Sequence, residues 1–94
     1  MSKIKIGVVE DELIIADSIC STLRQLGYDT TEPATSYTEA LSMIENEKPD
    51  LMLLDINLAG SKDGIQLAAE IKARYDLPFI FLTANTKKML RKIF

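Results

Sequence analysis

The stretch Leu51-Met52-Leu53-Leu54-Asp55 constrains the fold more than any other part of this chain. Four apolar residues run without a break into one carboxylate. A short, continuous apolar run suits a strand buried on both faces, which belongs inside a parallel sheet. A carboxylate that closes such a strand stands where the chain leaves the core, at the carboxyl edge of the sheet. Open α/β sheets bind their ligands at that edge. The rest of the chain can be read as an arrangement around Asp55.

In chain order, Lys3 to Val9 alternates and then turns apolar, which predicts a first strand, β1. It ends in three acids, Glu10-Asp11-Glu12. Asp11 is the expected cap of a first helix, α1, that runs to about Leu26, because a carboxylate there can accept from helix-start N–H groups. Ala16, Ile19, Cys20 and Leu23 follow helical spacing and form its expected buried face, with Gly27 just past its end. Tyr28 to Ala34 is polar and contains Pro33, which predicts an edge strand, β2. Ser36-Tyr37-Thr38-Glu39 is a capping box that opens helix α2, with Tyr37, Leu41 and Ile44 on one face and Pro49 beyond its end.

Strand β3 is the opening stretch, Leu51 to Asp55. After a loop with Gly60, Asp63 is the expected cap of helix α3, whose buried face is Leu67, Ala68, Ile71 and Tyr75. Pro78 introduces a second uniformly apolar strand, β4, over Phe79 to Leu82. Thr86 to Phe94 has the pattern of a short basic helix, with Met89, Leu90 and Ile93 on one side and Lys87, Lys88, Arg91 and Lys92 as a solvated face. The order βαβαβαβα predicts one α/β domain over residues 1–94, a doubly wound parallel sheet with helices on both faces.

Composition narrows the chemistry. The 94 residues are 47% hydrophobic, enough for a core, while no apolar run exceeds four residues, so a membrane span is not expected. The start has no apolar block of the kind a signal peptide carries. A single cysteine, Cys20, rules out an internal disulfide and fits a reducing, cytoplasmic setting; as a small side chain on the buried face of α1 it reads as core. With no histidine, Ser-His and Cys-His catalysis and most zinc sites fall away. A net charge of −3 argues against nucleic-acid binding by this segment.

In a right-handed parallel sheet all strand C-termini point the same way. Glu10 and Asp11, Asp55 and Thr83 therefore meet at one edge. Each taken alone has an ordinary explanation: helix capping for Glu10-Asp11, an Asx turn for Asp55, a turn hydroxyl for Thr83. The combination at three strand ends does not. Carboxylates about 4 Å apart repel by roughly 1–4 kcal/mol per pair, so either one takes a proton or a cation enters. Oxygen donors without nitrogen favour Mg²⁺. Such a site suits phosphoryl transfer, with Asp55 as the attacking carboxylate and Thr83 donating to a phosphoryl oxygen beside the small Ala84.

The segments Val8-Val9-Glu10-Asp11-Glu12, Leu53-Leu54-Asp55-Ile56-Asn57-Leu58, Asp63-Gly64-Ile65 and Phe81-Leu82-Thr83-Ala84 together resemble the receiver domain of two-component response regulators, in that family's order and spacing. The resemblance implies a flavodoxin-like sheet with β2 at the edge. It implies Asp55 as phosphoacceptor, Asp11 as a direct Mg²⁺ ligand, Glu10 acting through water, the Asn57 main-chain carbonyl as a further ligand, and Thr83 as the switch hydroxyl. It implies that Asp63-Gly64 shapes the entry to α3, and that the partner is a sensor histidine kinase or a histidine phosphotransfer protein. The chain departs from the family after Thr83, where no lysine-proline pair follows. The expected strand order is therefore 2-1-3-4, without the family's fifth strand and last helix. An apolar β4 left at the edge favours a symmetric homodimer through the region after Thr83.

Two other classes compete. A haloacid-dehalogenase-type phosphatase also uses a strand-end aspartate, but wants a second aspartate where this chain has Asn57, and carries its nucleophile on the first strand. An interaction module that is never phosphorylated is the other.

Overall fold

A computed structural model describes residues 3–56 and 64–82. Strand β1 spans Lys5–Val9, α1 Leu13–Gln25, β2 Asp29–Thr30, α2 Tyr37–Glu47, β3 Leu51–Asp55, α3 Gly64–Arg74 and β4 Phe79–Leu82. All pairings are parallel and the order is β2-β1-β3-β4, as expected, with β1 and β3 in the middle. The expectations about a fifth strand and a helix over Thr86 to Phe94 fall on residues outside those described.

Period-two alternation sends successive side chains to opposite faces of the sheet. Val8 turns to α1, where it packs with Ala16 and Cys20, flanked by Ile19 and Leu23. Val9, Met52 and Leu54 turn to the other face, where Ala40, Met43 and Ile44 of α2 and Leu67, Ala68 and Ile71 of α3 cover them. Tyr75, expected on the buried face of α3, lies one residue past its end, donates its N–H to Ile71 and packs on the same cluster. With one helix on one face and two on the other, the sheet is doubly wound.

Three expectations change in detail. The first helix is entered through Glu12, and neither Glu12 nor Asp11 caps it with a side chain. Instead the Glu12 N–H donates to Glu10 Oε2 at 3.1 Å, so the preceding acid supplies the acceptor. Strand β2 is shorter than Tyr28 to Ala34. Pro33 has no N–H for a ladder, so pairing lapses at Glu32-Pro33 and resumes as a single bridge between Val9 and Ala34. In the capping box Ser36 Oγ accepts from Glu39 N at 3.2 Å, as expected. The return bond goes one residue further out, with Glu39 Oε1 accepting from both the N–H and the hydroxyl of Thr35 at 2.8 Å.

The end of α1 follows the expected glycine. Gly27 has φ +100°, a left-handed value that costs an L-residue about 1–2 kcal/mol. That turn lets Gly27 N donate to Arg24 O and Tyr28 N to Leu23 O, both at 3.0 Å, the paired bonds of a Schellman stop.

Candidate acidic site at the carboxyl edge

Strands β1 and β3 are in register from Ile6↔Leu51 to Val9↔Leu54, so the residues that leave them emerge side by side. Glu10, Asp11 and Asp55 come together there, each offering an oxygen within 4.8 Å of the others. Their environments differ. Glu10 is 3% exposed, Asp55 half-buried and Asp11 exposed. Glu10 is held at both ends: its N–H donates to Ala34 O at 2.9 Å, and its Oε2 accepts from Glu12 N. Asn57 and Thr83, the other expected site residues, lie outside the described residues, as does Asp63.

Burial pushes the Glu10 carboxyl up to about 8, with the neighbouring charge of Asp55 and hydrogen bonds to Asp11 and Asp55 adding to the rise; the bond from Glu12 N works against it. At neutral pH Glu10 therefore carries a proton. The same crowding is what a hard cation would relieve, because several oxygens converge and no nitrogen or sulfur donor is among them. On that ground Glu10, Asp11 and Asp55 fit Mg²⁺.

Asp55 is also fixed from its main-chain side. Gly64, the first residue of α3, donates its N–H to Ile56 O at 2.7 Å and lies against the Asp55 carbonyl. Gly64 was visible in the sequence, but nothing in residue spacing shows how near it comes to the end of β3. Large apolar residues at the starts of α1 and α3 are exposed: Leu13, Ile14 and Ile65 are 57%, 86% and 58% exposed. Ile14 is out of phase with the buried face of α1, a signal that helical periodicity already carries.

Residues 6–93 match the family described as response regulator receiver domain. The chain belongs to the response regulator receiver family. Among solved structures, this receiver is similar to the response regulator REC domain of Erythrobacter litoralis PhyR, at 36% identity with a TM-score of 0.81, over 89% of this chain and 65% of that one. It is similar to the BeF3-activated N-terminal receiver domain of Klebsiella pneumoniae RstA, at 34% identity and TM-score 0.79, over 86% of this chain and 68% of that one. A third likeness is to Bartonella quintana PhyR in complex with the anti-sigma factor NepR, at 32% identity and TM-score 0.80, over 98% of this chain but 37% of that one. The receiver thus spans about two thirds of the two isolated domains and little more than a third of the longer protein. Two-component signalling is the business of the family, and its members are signalling modules rather than metabolic enzymes. Among the described residues no helix is long and apolar enough to cross a membrane.

Proposed function

We propose that residues 1–94 act as a phosphoacceptor receiver, taking a phosphoryl group from a phosphohistidine onto Asp55 with Mg²⁺ held by Asp11, Asp55 and the Asn57 carbonyl, and Glu10 in the outer shell. The observation that carries this is the meeting of three carboxylates at the end of β3. An Asp55 oxygen attacks phosphorus, the P–N bond breaks, and the electron pair and a proton pass to the departing imidazole. Mg²⁺, when bound, neutralises the phosphoryl oxygens during transfer. Asp55 is anchored by β3 and by α3, so the nucleophile is oriented before the donor arrives. Thr83 is assigned the hydrogen bond to a phosphoryl oxygen. The donor is a sensor histidine kinase or a histidine phosphotransfer protein in a cytoplasmic setting, and the protein turns over no substrate of its own. Nucleic acid and membrane are not among its proposed partners.

The test is labelling with acetyl phosphate and Mg²⁺ followed by mapping of the modified residue. One phosphoryl group on Asp55, released by hydroxylamine, absent in Asp55→Asn and found on no other residue, is the expected result. Labelling that survives Asp55→Asn would sink the mechanism.

The likeness to a PhyR bound to an anti-sigma factor favours a second reading, in which the chain works by binding a regulatory protein. We also propose self-association: among the described residues β4 has β3 as its one neighbour, and an apolar strand edge is open to pairing with a second copy through the region after Thr83.

A further inference from the structure

Gly64 meets the main chain of Asp55 more closely than any side chain would allow. A Cβ added there would lie 2.0 Å from the Asp55 carbonyl oxygen and 2.9 Å from both Asp55 C and Ile56 Cα. Ordinary contact begins near 3.4 Å, so something would have to move by more than an ångström. All three atoms are backbone, and no rotamer change can clear them. We propose that Gly64 is a positioning residue for the acidic site: the missing side chain lets α3 seat against the end of β3 and so fixes where the Asp55 carboxylate stands relative to Glu10 and Asp11. This rests on the reading of those carboxylates as a cation site.

The direction of the strain follows from what is anchored. Helix α3 is held to the sheet by Leu67 and Ile71, both fully buried, and by Ala68. Strand β3 is held by pairing to β1 through Leu54 and to β4 through Asp55, which lies opposite Leu82. Asp55 and Ile56 are only half-buried, and the Gly64 N–H donates to the Ile56 carbonyl. The overlap therefore falls on the half-buried strand end at Asp55 and Ile56, and not on the core. The oxygens of Glu10, Asp11 and Asp55 span at most 4.8 Å. A shift above 1 Å is large on that scale. Mg²⁺ demands near-octahedral geometry at about 2.0–2.1 Å, whereas Ca²⁺ accepts 2.3–2.6 Å and irregular shells. Displacing Asp55 should thus harm Mg²⁺ binding more than Ca²⁺ binding.

The experiment uses the full chain and titrates each metal alone. Wild type comes first: no Mg²⁺ binding there would defeat the cation-site reading itself. Given binding, Gly64→Ala is expected to weaken Mg²⁺ by tenfold or more and Ca²⁺ by clearly less, and to slow labelling by acetyl phosphate. Gly27→Ala, strained at the far end of α1, is expected to leave Mg²⁺ affinity within twofold. Folded Gly64→Ala that binds Mg²⁺ within twofold of wild type would overturn the role, as would an equal loss of both metals. Because the substitution could unfold the chain, it is repeated with Lys48→Gly, which relieves strain at the end of α2. Failure of that double variant to fold would also overturn the proposal, since it would place the damage in the core and not at the strand end.

Discussion

Glu10 is the residue whose state depends most on its surroundings. Its carboxyl titrates near 8 when the chain is folded, against an ordinary 4.5, chiefly because it is buried. A group raised on folding contributes its stability fully below the unfolded value and loses it as pH climbs through the folded one. The metal-free protein is therefore expected to lose stability from about pH 4.5 to about pH 8 on account of Glu10. Urea unfolding across that range should show the slope in wild type and a flatter profile in Glu10→Gln, which keeps a donor without the ionisation. A wild-type stability that rises from pH 6 to 8 would contradict the assignment. Mg²⁺ must displace the proton for Glu10 to lend its charge, so Mg²⁺ affinity should rise over the same interval. The three acids were legible as neighbours because parallel strands share an edge. That Glu10 in particular would hold the proton was not legible, since burial of one acid among three depends on the path the chain takes toward Ala34.

Among the elements, the strands that are apolar throughout read to the residue: β3 at Leu51–Asp55 and β4 at Phe79–Leu82. Nothing polar interrupts such runs before their last residue, so the apolar pattern alone marks them out. Helix ends were less legible. The acids after β1 all look like caps, and which backbone N–H each meets is set by the approach of the chain. The stop of α2 carried no glycine signal at all. Lys48 adopts φ 51° and ψ 61° there, with its N–H on Ile44 O at 3.2 Å. A left-handed residue with a Cβ is strained by roughly 1–2 kcal/mol, part of which glycine returns as unfolded-chain entropy. Lys48→Gly is thus expected to stabilise the protein by about 0.5–1 kcal/mol, read as a higher urea midpoint with an unchanged slope. A lower midpoint would mean that the Lys48 side chain contributes more than its backbone costs.

Taken as a whole, the molecule is covered unequally on its two sides. Among the described residues, helices α2 and α3 close one face of the sheet, while α1 alone lies on the other. Beside α1 a cavity of about 700 Å³ is floored by Ile6, Leu51, Leu53, Ile80 and Leu82. Apolar surface of that kind beside a strand edge promotes association. Sedimentation at micromolar concentration should report a dimer, and Ile80→Lys, which places a charge on both the edge and the cavity floor, should return it to monomer. Wild type that sediments as a clean monomer would remove the case for self-association.

The strand order also has a consequence in time. Strand β1 is an inner one, and its main partner comes late: Ile6 pairs with Leu51, 45 residues further along. At translation speeds of about 5–20 residues per second, Val8 and Val9 wait roughly 2–9 s for that partner to be made. During that interval only the two-residue β2 is available to pair beside them. The nascent chain therefore carries β1 without its β3 partner until Leu51 and its neighbours have been made, and long-range closure of this sort is slow by nature. A polar β2 and the run of acids directly after Val9 keep that waiting strand flanked by charge during the stage when it is most able to aggregate.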